Sequence, residues 1–209
     1  MTVHPDVAAL LALVPADFPG GEVVDWPAAE AVLGTRLPGD YKSLLDVYGV
    51  GDIGELVIIP PLPVDIPTMQ DTHIAAAAEQ QRFLWDMDGG VPGRSLGNEV
   101  VLPWGTGMNG NELAWLMVGD DPDEWPVVAW RRHHDFGESA WAEFDCGMVA
   151  FITRMMLGRF GSCPLGYEGL WRRTEPFVSW REQRRRIVAG LDPLTGEPDP
   201  YADMYPIAD

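Results

Sequence analysis

Three short stretches of this chain carry residue types that could do chemistry: a glycine-rich run at 105–110, an acidic run at 120–124 and a histidine pair at 133–134. The run GTGMNG (105–110) matches Gly-x-Gly-x-x-Gly, which binds a dinucleotide when a helix follows it, because the helix N-terminus then faces the pyrophosphate. The residues that follow, NELAWLMVG, have the pattern of a strand instead. The motif therefore predicts the turn of a hairpin and no cofactor site.

The histidines do not show the spacing of a metal site. His133 and His134 are adjacent, and adjacent residues on a strand point to opposite faces, so their imidazoles cannot easily share one ion. His4 and His73 lie at no ligand spacing from this pair. We predict a loop at the end of a strand there, and no metal ligands.

The acidic run lies between two predicted strands. The two carboxylates of a glycosidase must stand on opposite sides of a cleft, which neighbouring residues of one loop do not supply. Either a solvated loop or an electrostatic docking patch for a basic partner fits this arrangement. Together with the aromatic residue that follows them, these acids are our candidate partner-binding residues: Asp120, Asp121, Asp123, Glu124 and Trp125.

No other pattern points to catalysis. The chain has no nucleophile-elbow serine or cysteine and no Walker-type lysine, so we predict no catalytic residues and a protein that is not an enzyme. A hydrolase with an unrecognised carboxylate pair is the third class of function considered, and its geometry cannot be assembled from the spacing. Most of the tryptophans in the predicted strands are expected in the core, with one or two as anchors for a protein partner.

The charge balance limits the partners. The 14 basic and 32 acidic residues give a net charge of −18, which repels nucleic acid and anionic lipid and attracts basic proteins. No apolar run approaches the ~18 residues of a membrane span, and the N-terminus lacks the basic region of a signal peptide. We therefore predict a cytoplasmic protein with no nucleic-acid or membrane partner, in which Cys146 and Cys163 stay reduced.

The elements that must position these residues begin with helices. A short helix is predicted over 6–13, and Asp25 and Gly34 are predicted to cap the next one. A third helix starts after Pro38 and ends at Gly49, and its apolar face consists of Tyr41, Leu44, Leu45 and Tyr48.

The middle of the chain alternates between strands and helices. A strand is predicted at 56–60, followed by a helix that Asp71 or Thr72 caps and that runs to about Trp85. Strands at 100–104, 112–118 and 126–132 are separated by tight loops, which favours an antiparallel meander, and a short strand follows at 141–144. A last core helix is predicted from an Asp145 cap to Gly158.

After residue 162 the composition changes. Six of the 14 basic residues lie between Arg172 and Arg186, where apolar residues recur at helical spacing. We predict an amphipathic, arginine-rich helix followed by an extended or disordered tail that is rich in proline and acidic residues. The domain prediction is therefore residues 1–162 and a C-terminal extension over 163–209.

The stretch "WPAAEAVLGTRLPGDYKSLLDVYGVGDIG" (26–54) resembles the opening of the SUKH superfamily, which contains the yeast Smi/Knr cell-wall regulator and many bacterial immunity proteins. A second stretch, "VLPWGTGMNGNELAWLMVG" (101–119), is similar to the central hairpin of that family. The family's opening pattern is filled here by Trp26, Glu30, Leu33, Gly34, Leu37, Pro38, Tyr41, Leu44, Tyr48, Gly49 and Gly51.

The resemblance covers about residues 20–160, the core of the predicted domain, and implies an α+β fold in which an antiparallel sheet of about four to six strands is flanked by helices. The C-terminal helical extension departs from the family pattern and is added to this fold. It also implies a non-catalytic binding module without a cofactor. In bacteria, such proteins bind and neutralise a cognate polymorphic toxin, often a nuclease or deaminase, and the acidity of this chain suits a basic toxin. A regulatory or scaffold protein of the same superfamily is the alternative that the yeast relative suggests.

Overall fold

A computed structural model describes residues 2–67, 69–166 and 169–204. Its six α-helices are α1 (Pro5–Leu11), α2 (Trp26–Leu33), α3 (Gly39–Tyr48), α4 (Ile74–Asp88), α5 (Met148–Met156) and α6 (Trp180–Val188). Its seven strands are β1 (Gly51–Ile53), β2 (Leu56–Ile58), β3 (Val101–Gly107), β4 (Glu112–Leu116), β5 (Val127–Trp130), β6 (Trp141–Phe144) and β7 (Phe177–Ser179).

The strands form one antiparallel sheet in the order β6-β5-β4-β3-β2-β1-β7. The predicted fold class is confirmed: the chain is α+β, its antiparallel sheet is flanked by helices, and a helix lies in the C-terminal extension. The sheet has seven strands because two short ones were not anticipated: β1 in the glycine-rich exit of α3 and β7 in the extension.

The pairing of β7 with β1 depends on a glycine. Gly51 pairs with Ser179, and a Cβ atom on Gly51 would lie 2.5 Å from the carbonyl oxygen of Val178. Only a residue without a side chain allows the two backbones to approach this closely. The glycine-rich stretch after α3 therefore makes room for a strand that comes from the other end of the chain.

The sheet separates two apolar clusters. On β4, Leu113 and Trp115 belong to the larger cluster, which also contains apolar residues of α1, α3 and α5. Ala114 and Leu116 belong to the smaller one, which contains Leu84 and other residues of α4. Because successive strand residues point to opposite faces, α4 covers one face and the larger helical layer covers the other.

The caps of the first helices follow the local sequence. The Asp25 carboxylate accepts a hydrogen bond from the Ala28 backbone (3.1 Å), and Gly34 ends α2 with φ of 72°. α3 begins directly after Pro38 and ends at Gly49, as predicted. Short-range sequence signals are sufficient for both helices, since every group involved lies within about one turn.

Two predicted caps were wrong. His73, and not Asp71 or Thr72, caps α4, because its Nδ1 accepts from the Ala76 backbone (3.2 Å), and the helix continues to Asp88. α5 begins after Gly147, and Asp145 does not cap it. The acceptor there is the carboxylate of Asp40 on α3, which is bound by the Val149 backbone N–H at 3.0 Å.

The C-terminal segment differs from its prediction in two ways. Phe177 lies in β7, so α6 starts only at Trp180, and Ser179 caps it by accepting from the Glu182 backbone (3.3 Å). The described part of the tail is folded back and not extended. Its turn forms because the Asp192 carboxylate accepts from the Thr195 backbone (2.7 Å), while Arg186 donates to the carbonyl oxygens of residues 193 and 194.

Candidate protein-binding site

The turn between α2 and α3 is organised by Glu30. Its carboxylate accepts a hydrogen bond from the Leu37 backbone (2.9 Å) and forms an ion pair with Lys42. Partial burial raises the pKa of Glu30, but the hydrogen bonds from Lys42 and Leu37 outweigh it, so the pKa lies below its usual value. The charged form of Glu30 therefore holds the start of α3 against α2.

Two tyrosines of α3 connect that helix to distant segments. The Tyr41 hydroxyl donates to the Ile59 carbonyl oxygen (2.7 Å), and the Tyr48 hydroxyl donates to the Val14 carbonyl oxygen (2.6 Å). Both rings are buried, and burial raises the pKa of Tyr48 to about 12. The Trp26 ring packs edge-on against Tyr41 at 6.0 Å. These contacts give α3 a fixed position.

Gly49 ends α3 where no other residue fits. Its φ is 80°, and a Cβ atom there would lie 2.7 Å from the Gly20 backbone. The other members of the opening pattern lie in the same region: Leu37 is buried in the core, Leu33 packs against it, and Pro38 directly precedes α3. The opening pattern thus positions a helix, and none of these contacts leaves a reactive group directed at solvent.

The acidic loop, residues 119–126, lies beside the N-terminus of this helix. It connects β4 to β5 and contains a 3₁₀ turn at Pro122–Glu124. The Asp123 carboxylate accepts from the Gly39 backbone (2.5 Å) at the first turn of α3, and the Arg36 guanidinium donates to the Asp120 carbonyl oxygen (2.9 Å). The loop is therefore attached to the α2–α3 unit at two points.

The five candidate residues of this loop are in different environments. Asp120, Asp121 and Glu124 are exposed, and Asp121 also accepts from the Asp123 backbone (3.2 Å). The Asp123 carboxylate is bound to the α3 N-terminus, where a negative charge also favours the helix dipole. The Trp125 side chain is only 4% exposed and packs in the larger core cluster, so it supports the loop from below.

The other sequence candidates lie apart from this loop. GTGMNG ends β3 and turns the chain towards β4, as the hairpin prediction stated. His133 and His134 lie in an exposed loop after β5. Over residues 2–67, 69–166 and 169–204, no group of three or more histidine, cysteine or acidic side chains could hold a metal ion.

The family model described as SMI1-KNR4 cell-wall (SUKH_6) matches residues 25–143, which is more than half of the chain. The chain belongs to the SUKH family. No curated protein and no solved structure matches it significantly. The SUKH match runs from the cap of α2 to β6, so the acidic loop lies inside the family region, whereas α5, β7 and α6 lie beyond it.

Two half-buried acids of this SUKH protein were not among the sequence candidates. The Asp52 carboxylate on β1 accepts from the Trp180 indole (3.1 Å) and the Gln183 amide (2.8 Å) of α6, and burial raises its pKa to about 6. Burial raises the pKa of Glu112 on β4 to about 7. The local sequence signals each of these two residues only as an acid within a short strand. That signal does not show which face of the sheet is covered by other elements.

None of the helices in the described ranges is long and apolar enough to cross a membrane. The acidic residues of this SUKH protein outnumber its basic ones by 32 to 14. The acidic loop presents exposed carboxylates and is attached to the α2–α3 unit. It is therefore our candidate contact site for a basic protein.

Proposed function

We propose that the chain is a non-catalytic protein-binding module: an immunity protein that binds and neutralises a cognate basic toxin of the nuclease or deaminase type. In this proposal it acts in the bacterial cytoplasm. Family membership supports a SUKH binding module, and the net charge of −18 supports a basic partner. The observation that carries the proposal is the attachment of the exposed acidic loop to the N-terminus of α3.

That attachment matters for affinity. A loop whose backbone is already fixed loses little conformational entropy when it binds, so more of its interaction energy contributes to the complex. Toxins that act on nucleic acid need a basic surface for their polyanionic substrate. Exposed carboxylates at 120, 121 and 124 would compete for that surface and accelerate encounter with it.

The first experiment is affinity capture of the tagged full-length chain from its native host, washed at low and at high salt, followed by mass spectrometry. We expect one dominant basic protein with a toxin domain, lost as the salt concentration rises. The purified chain should then abolish the activity of that toxin domain. If the toxin domain remains fully active in an excess of the chain, the immunity proposal is overturned.

The second experiment locates the contact. Charge reversal at Asp120, Asp121 and Glu124 should lower the association rate with the captured toxin by roughly ten- to a hundredfold at low salt. Asp123 is left unchanged because its carboxylate holds α3. The matched control reverses three exposed acids elsewhere: Asp17, Asp71 and Glu197. Equal association rates for the two triple variants would exclude the loop as the docking site.

A regulatory or scaffold role is the second candidate, because the matching family model carries the description SMI1-KNR4 cell-wall. The same capture experiment separates the two. Recovery of several cell-wall or signalling proteins, none with a toxin domain, would favour the scaffold. Recovery of a single basic toxin would favour immunity.

A further inference from the structure

The outward face of α4 carries apolar side chains where an ordinary surface helix carries polar ones. The Phe83 side chain is 59% exposed and Met87, one turn further on, is 53% exposed. Ala76 and Gln80 continue the same stripe toward the N-terminus of the helix, and both are exposed. The stripe spans positions 76, 80, 83 and 87, which is about 16 Å along the axis.

This stripe differs from the exposed apolar residues of the loops and turns. Val23, Met108 and Phe136 are single residues in loops or turns, and isolated residues of this kind are common on protein surfaces. Phe83 and Met87 instead stand on a regular helix of 15 residues whose opposite face is packed on the sheet through Leu84 and Trp85. The apolar surface is therefore held in one geometry before any partner binds.

The stripe also has a hollow that could accept a side chain. Ala76, Glu79, Gln80 and Phe83 line a shallow depression of about 440 Å³. Ala76 and Phe83 contribute apolar side chains to its lining. A large apolar side chain from a partner would bury both, and aromatic or methionine anchors in such hollows contribute most of the energy of many interfaces.

The charges around the stripe select the kind of partner. α4 carries Glu79, Asp86 and Asp88 against a single basic residue, Arg82. A second copy of this chain would bring the same acidic rim and a further net charge of −18, so self-association is opposed by repulsion. A segment with apolar residues between basic ones would be attracted by the rim and buried on the stripe.

We infer that the outward face of α4 is a docking surface for an amphipathic helix with basic flanks, which belongs to a partner protein. The surface lies on the face of the sheet opposite the acidic loop, because Leu84 and Trp85, beside Phe83 on α4, pack in the smaller core cluster and Trp125 packs in the larger one. The inference therefore does not depend on the loop being a binding site.

The test uses the full-length chain and a defined probe, a fluorescent Leu/Lys peptide of about 14 residues that forms an amphipathic helix, with a Ser/Lys peptide of equal charge as its control. Phe83→Ser combined with Met87→Ser should weaken binding of the Leu/Lys peptide about tenfold. Val32→Ser, which removes an equally exposed apolar side chain from α2, should leave it unchanged. Fluorescence anisotropy at physiological salt measures the affinity of the Leu/Lys peptide for the wild type, the double variant and Val32→Ser.

A second measurement keeps the test decisive if the double variant is poorly folded. Amide chemical shifts of the wild-type chain, followed as the Leu/Lys peptide is added, should change first at Ala76, Gln80, Phe83 and Met87. The inference is overturned if the Ser/Lys peptide binds as tightly, if the shifts spread evenly over the acidic surface, or if the stripe variants dissolve a dimer of the chain in sedimentation experiments. The peptide affinities and the chemical shifts do not depend on whether the acidic loop binds a toxin.

Discussion

Glu112 and Asp52 are carboxylic acids within the sheet, where burial disfavours their charged forms. Among the described residues, the Thr106 hydroxyl is the donor to Glu112, at 3.4 Å, whereas Asp52 has two donors from α6. Burial accordingly raises the pKa of Glu112 to about 7 and that of Asp52 to about 6. Both residues make the stability of the fold depend on pH near neutrality.

The sign of this dependence follows from the direction of the shifts. Because the pKa of Glu112 is higher in the folded than in the unfolded chain, the folded chain binds more protons between about pH 4.5 and 7. The free energy of unfolding must therefore fall as the pH rises through this range. Glu112→Gln removes the burial of a charge, so we expect it to stabilise the fold at pH 8 by roughly 1–3 kcal/mol and to have little effect at pH 5.

Urea unfolding of the wild type and Glu112→Gln at pH 5, 6, 7 and 8 measures this difference. Glu124→Gln is the matched control, since it makes the same chemical change at an exposed position and should show the wild-type dependence. Part of the pH dependence of stability should remain in Glu112→Gln, because the pKa of Asp52 is raised as well. Parallel stability profiles for the wild type and Glu112→Gln would contradict the prediction.

At the scale of elements, the start of α5 depends on α3. The Asp40 side chain is 5% exposed, and its carboxylate accepts from the backbone N–H groups of Tyr41 (2.7 Å) and Val149 (3.0 Å). Burial raises the pKa of Asp40 above its usual value, and these two hydrogen bonds oppose that rise. One carboxylate thus joins the N-terminal turns of two helices that the chain separates by more than a hundred residues.

Asp40→Ala should lower the free energy of unfolding by about 1–3 kcal/mol, because it leaves a buried backbone N–H of α5 without an acceptor. Asp145→Ala should have almost no effect, although the local sequence makes Asp145 the better cap. Urea unfolding of the two variants compares them directly. A larger loss for Asp145→Ala than for Asp40→Ala would show that the local cap is the important one.

At the scale of the whole molecule, the C-terminal extension contributes to the central sheet. β7 pairs with β1, and the Phe177 ring lies 5.0 Å from the ring of Tyr48 on α3. Trp180 is buried in the same core cluster. The division of the chain at residue 162 stays a prediction, and these contacts suggest how to test it.

Phe177→Ala should lower the free energy of unfolding by about 3–5 kcal/mol, as expected for a large aromatic side chain removed from a core. Val188→Ala on the exposed side of α6 is the control and should change it by less than about 0.5 kcal/mol. Both variants should unfold in one transition when followed by tryptophan fluorescence and by circular dichroism. A destabilisation confined to a separate, earlier transition would show that residues 163–204 form an independent unit.

Much of this fold could be predicted because its signals are local. Asp25 and Gly34 cap α2, apolar positions at helical spacing define α3, and short loops between apolar runs place β3, β4 and β5 in a meander. The capping groups are a few residues apart and the paired strands are neighbours in the sequence, so propensity and turn chemistry are sufficient. The family pattern at 26–54 rests on the same local signals.

The tertiary structure decided everything that depends on distant partners. The Asp40 cap of α5 joins residues 109 apart in sequence, and the bond from Asp123 to Gly39 joins residues 84 apart. The strand β7, the burial of Asp52 and Glu112 and the exposure of Phe83 likewise depend on which surfaces meet. No local pattern encodes these relations, because identical residue types are buried, bonded or exposed according to what the rest of the chain places beside them.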